Sequence, residues 1–135
     1  MANEYKGVSG IMAFVFYKDV SDTGTADTDL DIFLAGGFAD DDGRPVMAFD
    51  GAVVGMSVQH HVAVGDGHAA LVKVTKGTTD LCSESLVAAA DGAQYHRYDP
   101  NLYAVSAGDK LKVSVQSDQA NDDLGETTVV VYVQV

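Results

Sequence analysis

Tryptophan is absent from this 135-residue chain, cysteine occurs once and proline twice, and Lys plus Arg number 8 against 20 Asp plus Glu. Each scarcity excludes something. A single cysteine, Cys82, allows no internal disulfide framework and no Cys-x-x-Cys metal or redox motif. A formal charge of −12 argues against nucleic acid, whose binding depends on Lys and Arg displacing counterions from phosphates. No apolar run approaches the roughly 18 residues of a membrane helix. Met1 to Gly7 carries neither the basic region nor the apolar stretch of a signal peptide. The expected partners therefore include neither nucleic acid nor membrane.

Glutamate is scarce as well. Of the 20 acidic residues 17 are Asp and only Glu4, Glu84 and Glu126 are Glu. Asp competes with the helix backbone for hydrogen bonds and favours turns, whereas Glu tolerates helices. What the chain does have is valine, 20 residues of it, and 14 glycines scattered as turn punctuation. β-branched side chains fit a pleated sheet. With 47% apolar residues the chain can build a core despite its charge. The class is all-β.

Residues 1–10 carry no periodicity and read as an N-terminal arm, with one domain over 11–135. Ile11 to Tyr17 is the first strand and is apolar on both parities, as is Val129 to Val133 near the end. Such strands are covered on both faces, either within the domain or by a neighbouring subunit. On the second reading Met12, Phe14, Phe16, Val130 and Tyr132 are the candidate subunit contacts. Leu30 to Leu34 and Val46 to Phe49 read as short strands, the latter at an edge because Pro45 opens it. Ala52 to Val64 places Val54, Met56, Val58, His60, Val62 and Val64 on one face, and Ala69 to Thr75 returns from the Gly65-Asp66-Gly67 turn as its hairpin partner. Leu81 to Ala90 reads as a strand, although Leu86 to Ala90 also suits a short helix. Tyr95 to Tyr98, Leu111 to Val115 and Thr127 to Val135 complete the set. About eight short strands with turn signals between them predict a single-domain, jelly-roll-like antiparallel β-sandwich.

Candidate chemistry is sparse. Asp27-Thr28-Asp29-Leu30-Asp31 alternates carboxylates, but an EF-hand loop needs Gly and Glu where Ile32 and Phe38 stand. Asp40-Asp41-Asp42 reads as a solvated loop tip. His60 and His61 point to opposite faces of a strand and cannot chelate one ion together. His68 and His96 bring no further ligands with zinc spacing. His60 lies on the apolar parity and reads as a hydrogen-bonded core residue. No Gly-x-Ser-x-Gly elbow or phosphate loop is present. Tyr95, Tyr98 and Tyr103 are better suited to packing than to a sugar platform. The sequence predicts no enzyme, no metal and no cofactor.

The segment Phe49-Asp50-Gly51-Ala52-Val53-Val54-Gly55-Met56-Ser57-Val58 resembles a recurring β-module of tailed-phage virion proteins, in which a Phe-Asp-Gly turn feeds an aliphatic-Gly-Met-Ser-aliphatic strand. The likeness continues through Ala70-Leu71-Val72-Lys73-Val74-Thr75-Lys76-Gly77, through Tyr103 to Val113 with its Ala107-Gly108-Asp109 turn, and into Thr128 to Val135. It implies a jelly-roll virion protein, often a homotrimer, of the head decoration (cement) type. The partner it implies is the major capsid protein on the capsid exterior. A receptor- or glycan-binding head module of a tail fibre is the rival reading. The family carries no catalytic residues to transfer.

Overall fold

The structure, a computed structural model, describes residues 10–20, 26–32, 46–65, 68–118 and 123–135. Residues 1–9 of the expected arm, the Asp40-Asp41-Asp42 tip and the Asp66-Gly67 half of the expected turn lie outside them. The described residues form two antiparallel sheets packed face to face, with ten strands where about eight were expected. Three of the ten have only two residues: β2 (Thr28–Asp29), β3 (Asp31–Ile32) and β8 (Ala104–Val105). The longer strands are β1 (Ile11–Val20), β4 (Gly51–His60), β5 (Ala70–Lys76), β6 (Thr79–Ser85), β7 (Gly92–Arg97), β9 (Leu111–Ser117) and β10 (Gly125–Gln134). The first sheet runs β3-β1-β10-β4-β7, with β8 also pairing β4, and the second runs β2-β9-β5-β6.

Alternation within each strand explains the core. Val129, Val131 and Val133 of β10, Val53, Met56 and Val58 of β4, and Phe16 and Val20 of β1 point inward from the first sheet. Val72 and Val74 of β5 and Leu111, Val113 and Val115 of β9 meet them from the second. Met47 and Leu124, both outside strands, are buried in the same core.

Four expectations are corrected. Ala52 to Val64 and Ala69 to Thr75 do not form a hairpin, because β4 belongs to the first sheet and β5 to the second. The tight hairpin is instead β5–β6, where Lys76 pairs with Thr79 and Gly77 adopts a φ of 56°. Val54 is not on the inner parity. Val133 pairs with Val53 and Tyr132 with Gly55, so Val54 is the extra residue of a β-bulge and Val53 takes its place inside. Val46 to Phe49 forms only an isolated bridge, Val46 to Lys110, although Met47 is buried. Strand β6 stops at Ser85, and residues 86–91 are a turn rather than a helix or a longer strand.

Side chains close the gap between the edges β6 and β7, which belong to different sheets. The Gln94 side-chain amide donates to Ser85 O at 2.8 Å and to His96 Nε2 at 2.7 Å, and its oxygen accepts from Val87 N at 2.8 Å. With Nε2 accepting, the His96 proton sits on Nδ1, 3.3 Å from Glu84 Oε2. Tyr98 donates to Glu84 Oε1 at 3.1 Å. This polar seam covers Cys82. Burial pushes the Cys82 thiol from 9.0 to about 11, with the Glu84 carboxylate adding to the shift and the Tyr98 hydrogen bond opposing it.

Substitution and the chemistry of Cys82 both test this packing. Phe16→Ala empties a fully buried site and should cost about 3–5 kcal/mol in urea unfolding. Leu102→Ala, at a side chain 62% exposed, should change stability by less than about 0.5 kcal/mol. Cys82 should resist a thiol reagent at neutral pH in the folded protein and react at once in denaturant, since the thiolate is the nucleophile. The fold holds this thiol neutral, so its share of stability is complete below pH 9.0 and disappears as pH rises to about 11. Urea midpoints that stay flat over that interval would refute the burial argument.

Candidate functional site

The two solvent-facing sheet surfaces differ in chemistry. On the second sheet the cross-strand neighbours are Asp29, Ser114, Lys73 and Ser83 in one row, with Lys112, Thr75 and Asp80 beside it. Lys73 Nζ reaches Asp27 at 2.7 Å and Asp80 at 3.7 Å, and Lys112 Nζ lies 3.6 Å from Asp29. The hydrogen bond to Asp27 raises the Lys73 ammonium, against the smaller opposing effect of burial. These ion pairs lie over Ser114 and Thr75, whose buried hydroxyls have no partner among the described residues. The face is charged and already occupied with itself.

The first sheet turns an apolar face outward. Register aligns Ala13, Tyr132, Gly55 and Arg97 in one row, Val15, Val130, Ser57 and Tyr95 in the next, and Tyr17, Thr128, Gln59 and Ala93 in the third. One residue of these twelve, Arg97, is charged. Ile11 extends the surface and is 66% exposed, while Tyr95 is 56% exposed. Tyr95 and Tyr132 meet edge to face, ring centroids 6.0 Å apart at 75°. Gly55 makes the room: a Cβ there would stand 3.0 Å from the Tyr95 hydroxyl and 3.5 Å from Tyr132 Cδ2. Ser57, also small, faces the Tyr132 hydroxyl at 3.5 Å. Two small residues in β4 thus form a shallow bed for two tyrosines.

At one end the apolar rows give way to a polar cleft of about 170 Å³ lined by Tyr17, Gln59, His61, Asp91, Glu126 and Thr128. His61 Nδ1 and Asp91 Oδ1 are 2.7 Å apart. Burial, then the charge of and hydrogen bond to Glu126, raise the Tyr17 phenol. Neither serine nor cysteine lines the cleft. Among the described residues no three His, Cys, Asp or Glu side chains are placed to hold a metal ion. No helix among them is long and apolar enough to cross a membrane.

The five candidate contact residues separate by parity. Val130 and Tyr132 stand on the outer apolar face. Phe16 points the other way and is 1% exposed in the core, Phe14 packs against that core, and Met12 shares their parity at 37% exposure. On β1 the outward residues are Ile11, Ala13, Val15 and Tyr17. An apolar run on both parities cannot reveal which parity the second sheet covers. Tyr95 joins the face, whereas Tyr98 and Tyr103 pack against each other at the core edge, ring centroids 5.0 Å apart. Only the strand order brings Tyr95 beside Tyr132.

No protein-family model and no curated protein matches the chain. Solved structures do. The PRD1 vertex protein P5 is similar at 14% identity with a TM-score of 0.51, over 91% of this chain and 96% of that one. A chain from the capsid of Ralstonia phage GP4 is similar at 12% identity with a TM-score of 0.52, over 93% and 84%. Eiger TNF from S. frugiperda is similar at 12% identity with a TM-score of 0.46, over 93% and 92%. The shared feature is the fold, a jelly-roll-like sandwich of two antiparallel sheets.

Proposed function

We propose that this protein is a non-enzymatic virion structural protein, a capsid decoration protein that binds the outside of a phage head and steadies the shell. Copies join as a homotrimer through the outer face of the first sheet, and the trimer clips onto the major capsid protein. The observation that carries this reading is the contrast between the two sheet surfaces. A protein with a charge of −12 repels its own copies, and the three rows of the Ala13–Tyr132–Val130–Tyr95 face hold one charged residue, Arg97, and offer apolar area. Tyrosine, aliphatic residues and one arginine on a flat sheet are the composition of an interface centre. The capsid and vertex proteins of similar fold supply the setting. A clip shared by several shell subunits stabilises them by mass action and avidity, without a chemical step.

The polar cleft favours a second reading, a receptor- or glycan-binding head module of a tail fibre. Its Tyr17, Gln59, His61 and Asp91 side chains offer the mixed donors and acceptors that a sugar's hydroxyls need.

Light scattering of the purified protein should give three times the 14.1 kDa chain mass. Val130→Asp buries a charge in the interface and should weaken self-association by about 2–4 kcal/mol. Asp80→Asn, on the charged sheet, should leave the mass unchanged. In purified virions the protein should be present in many copies per head. A few copies confined to the tail, together with glycan-array binding, would replace the decoration reading with the second one. A monomer at every concentration would remove the interface.

A further inference from the structure

The outer face of the first sheet is polarised along its strands. Arg97 stands in the row of Ala13, Tyr132 and Gly55, and it is the one charged residue of the three apolar rows. Its side chain is exposed, and its guanidinium has no hydrogen-bond or ion-pair partner among the described residues. The opposite end of the face is acidic. Glu126 lies beside Asp19 across β1 and β10, and both side chains are exposed. Asp91 completes this end, with Oδ1 2.7 Å from His61 Nδ1. No described lysine or arginine lines the cleft that Glu126 and Asp91 share, although its volume of about 170 Å³ far exceeds what one water needs.

Arg97 cannot neutralise that cleft within its own chain. It pairs with Gly55, whereas Glu126 O accepts from His61 N at 3.1 Å and so lies level with His61. Six positions separate Gly55 from His61, about 20 Å at the roughly 3.3 Å rise of a strand residue. A second copy removes the distance. With like ends together, two such faces set carboxylates against carboxylates, which adds to the repulsion between chains of charge −12. With unlike ends together, they bring Arg97 of one copy to the cleft of the next. A guanidinium offers five donors in a planar fork, and Glu126, the remaining Asp91 oxygen and the Gln59 side-chain oxygen supply acceptors.

We propose that copies of this chain associate head to tail, with Arg97 of one copy seated between Glu126 and Asp91 in the cleft of the next. This pairing presupposes the association through the outer face of the first sheet put forward above and gives it a polarity. A contact between unlike ends is heterologous, so a rotation that closes it makes a ring in which every copy gives one arginine and receives one. Three copies close such a ring when the strands run across the threefold axis, so that the two ends of each face meet different neighbours. Tyr95, two residues from Arg97 on the same side of β7, enters the contact with it. A paired charge shielded by an aromatic ring gains more than one on an open surface.

Sedimentation equilibrium of the full chain separates this pairing from the interface that carries it. Arg97→Glu and Glu126→Arg should each weaken self-association about tenfold, because each sets like charges together. Both side chains are exposed, so neither substitution disturbs the core. The double variant Arg97→Glu/Glu126→Arg should recover most of the loss, since the attraction returns with its sign reversed. Arg97→Lys keeps the charge and loses the fork, and it should fall between wild type and Arg97→Glu. Single variants that associate as tightly as wild type, while Val130→Asp still separates the copies, overturn the pairing and leave the interface standing. A double variant as weak as the single ones overturns it too, because the two positions then do not meet. A wild-type chain that is monomeric at every concentration removes the interface itself, and the pairing with it.

Discussion

Strand β10 hydrogen-bonds to β1 along its ten residues and to β4 from Thr127 to Gln134, so the three longest strands form one continuous ladder. Its alternation splits its valines between two environments: Val129, Val131 and Val133 enter the core, and Val130 stands outside beside Tyr132. Every other element depends on this ladder. β3 and β7 extend it on either side, β8 caps β4, and the second sheet packs on its inner valines. Moving β10 by one residue would exchange the core set for the outer set, and the buried face would then present Tyr132 and Thr128. The bulge at Val54 shows how the mismatch between strands is absorbed without such a slip.

That constraint divides what the sequence makes legible from what it does not. The 2.0 period of Met56-Val58-His60, of Val113-Val115 and of the terminal valines marks strands and core positions directly, because burial on one face selects apolar residues at alternate sites. Layer membership leaves no such mark. Ala52 to Val64 followed by a Gly-Asp-Gly turn has the composition of a hairpin, and a crossover between sheets is written in the same residues. Parity is lost for the same reason in β1, where Phe14 and Phe16 are apolar because they face the core, and Ile11, Val15 and Tyr17 are apolar on the outside. The outer face therefore emerges only when the register of four strands is known. Its one local signal is the presence of Gly55 and Ser57, small residues in an otherwise bulky strand.

Charge is distributed with the same logic. Lysines are rare in this chain, and Lys73 and Lys112 stand among Asp27, Asp29 and Asp80 on the second sheet. Exposed ion pairs of this kind contribute little stability singly. They do, however, cover Ser114 and Thr75 and leave that surface with its charges paired. On the first sheet the described outer residues carry only the His61–Asp91 pair, at the cleft end. The seam of Gln94, His96, Glu84 and Tyr98 then closes the side where the two sheets separate, and it seals the lone cysteine away from solvent. Polar groups thus cover the second sheet and close the edges and ends, and the broad outer surface of the first sheet is left apolar.

The bed formed by Gly55 has a consequence for how the chain can change over time. A Cβ at position 55 would meet the Tyr95 hydroxyl first, at 3.0 Å, and the His96 backbone oxygen next, at 3.2 Å, whereas Tyr132 would lie in ordinary contact at 3.5 Å. Positions 55 and 95 are therefore bound to drift as a pair, although they lie on different strands and 40 positions apart in the chain. In a lineage that keeps both tyrosines, glycine stays. In one that loses Tyr95, the tightest contact is gone and the His96 backbone oxygen is what still limits a small side chain at 55. Covariation between these two positions records whether the tyrosine, rather than the strand beneath it, is what selection has preserved.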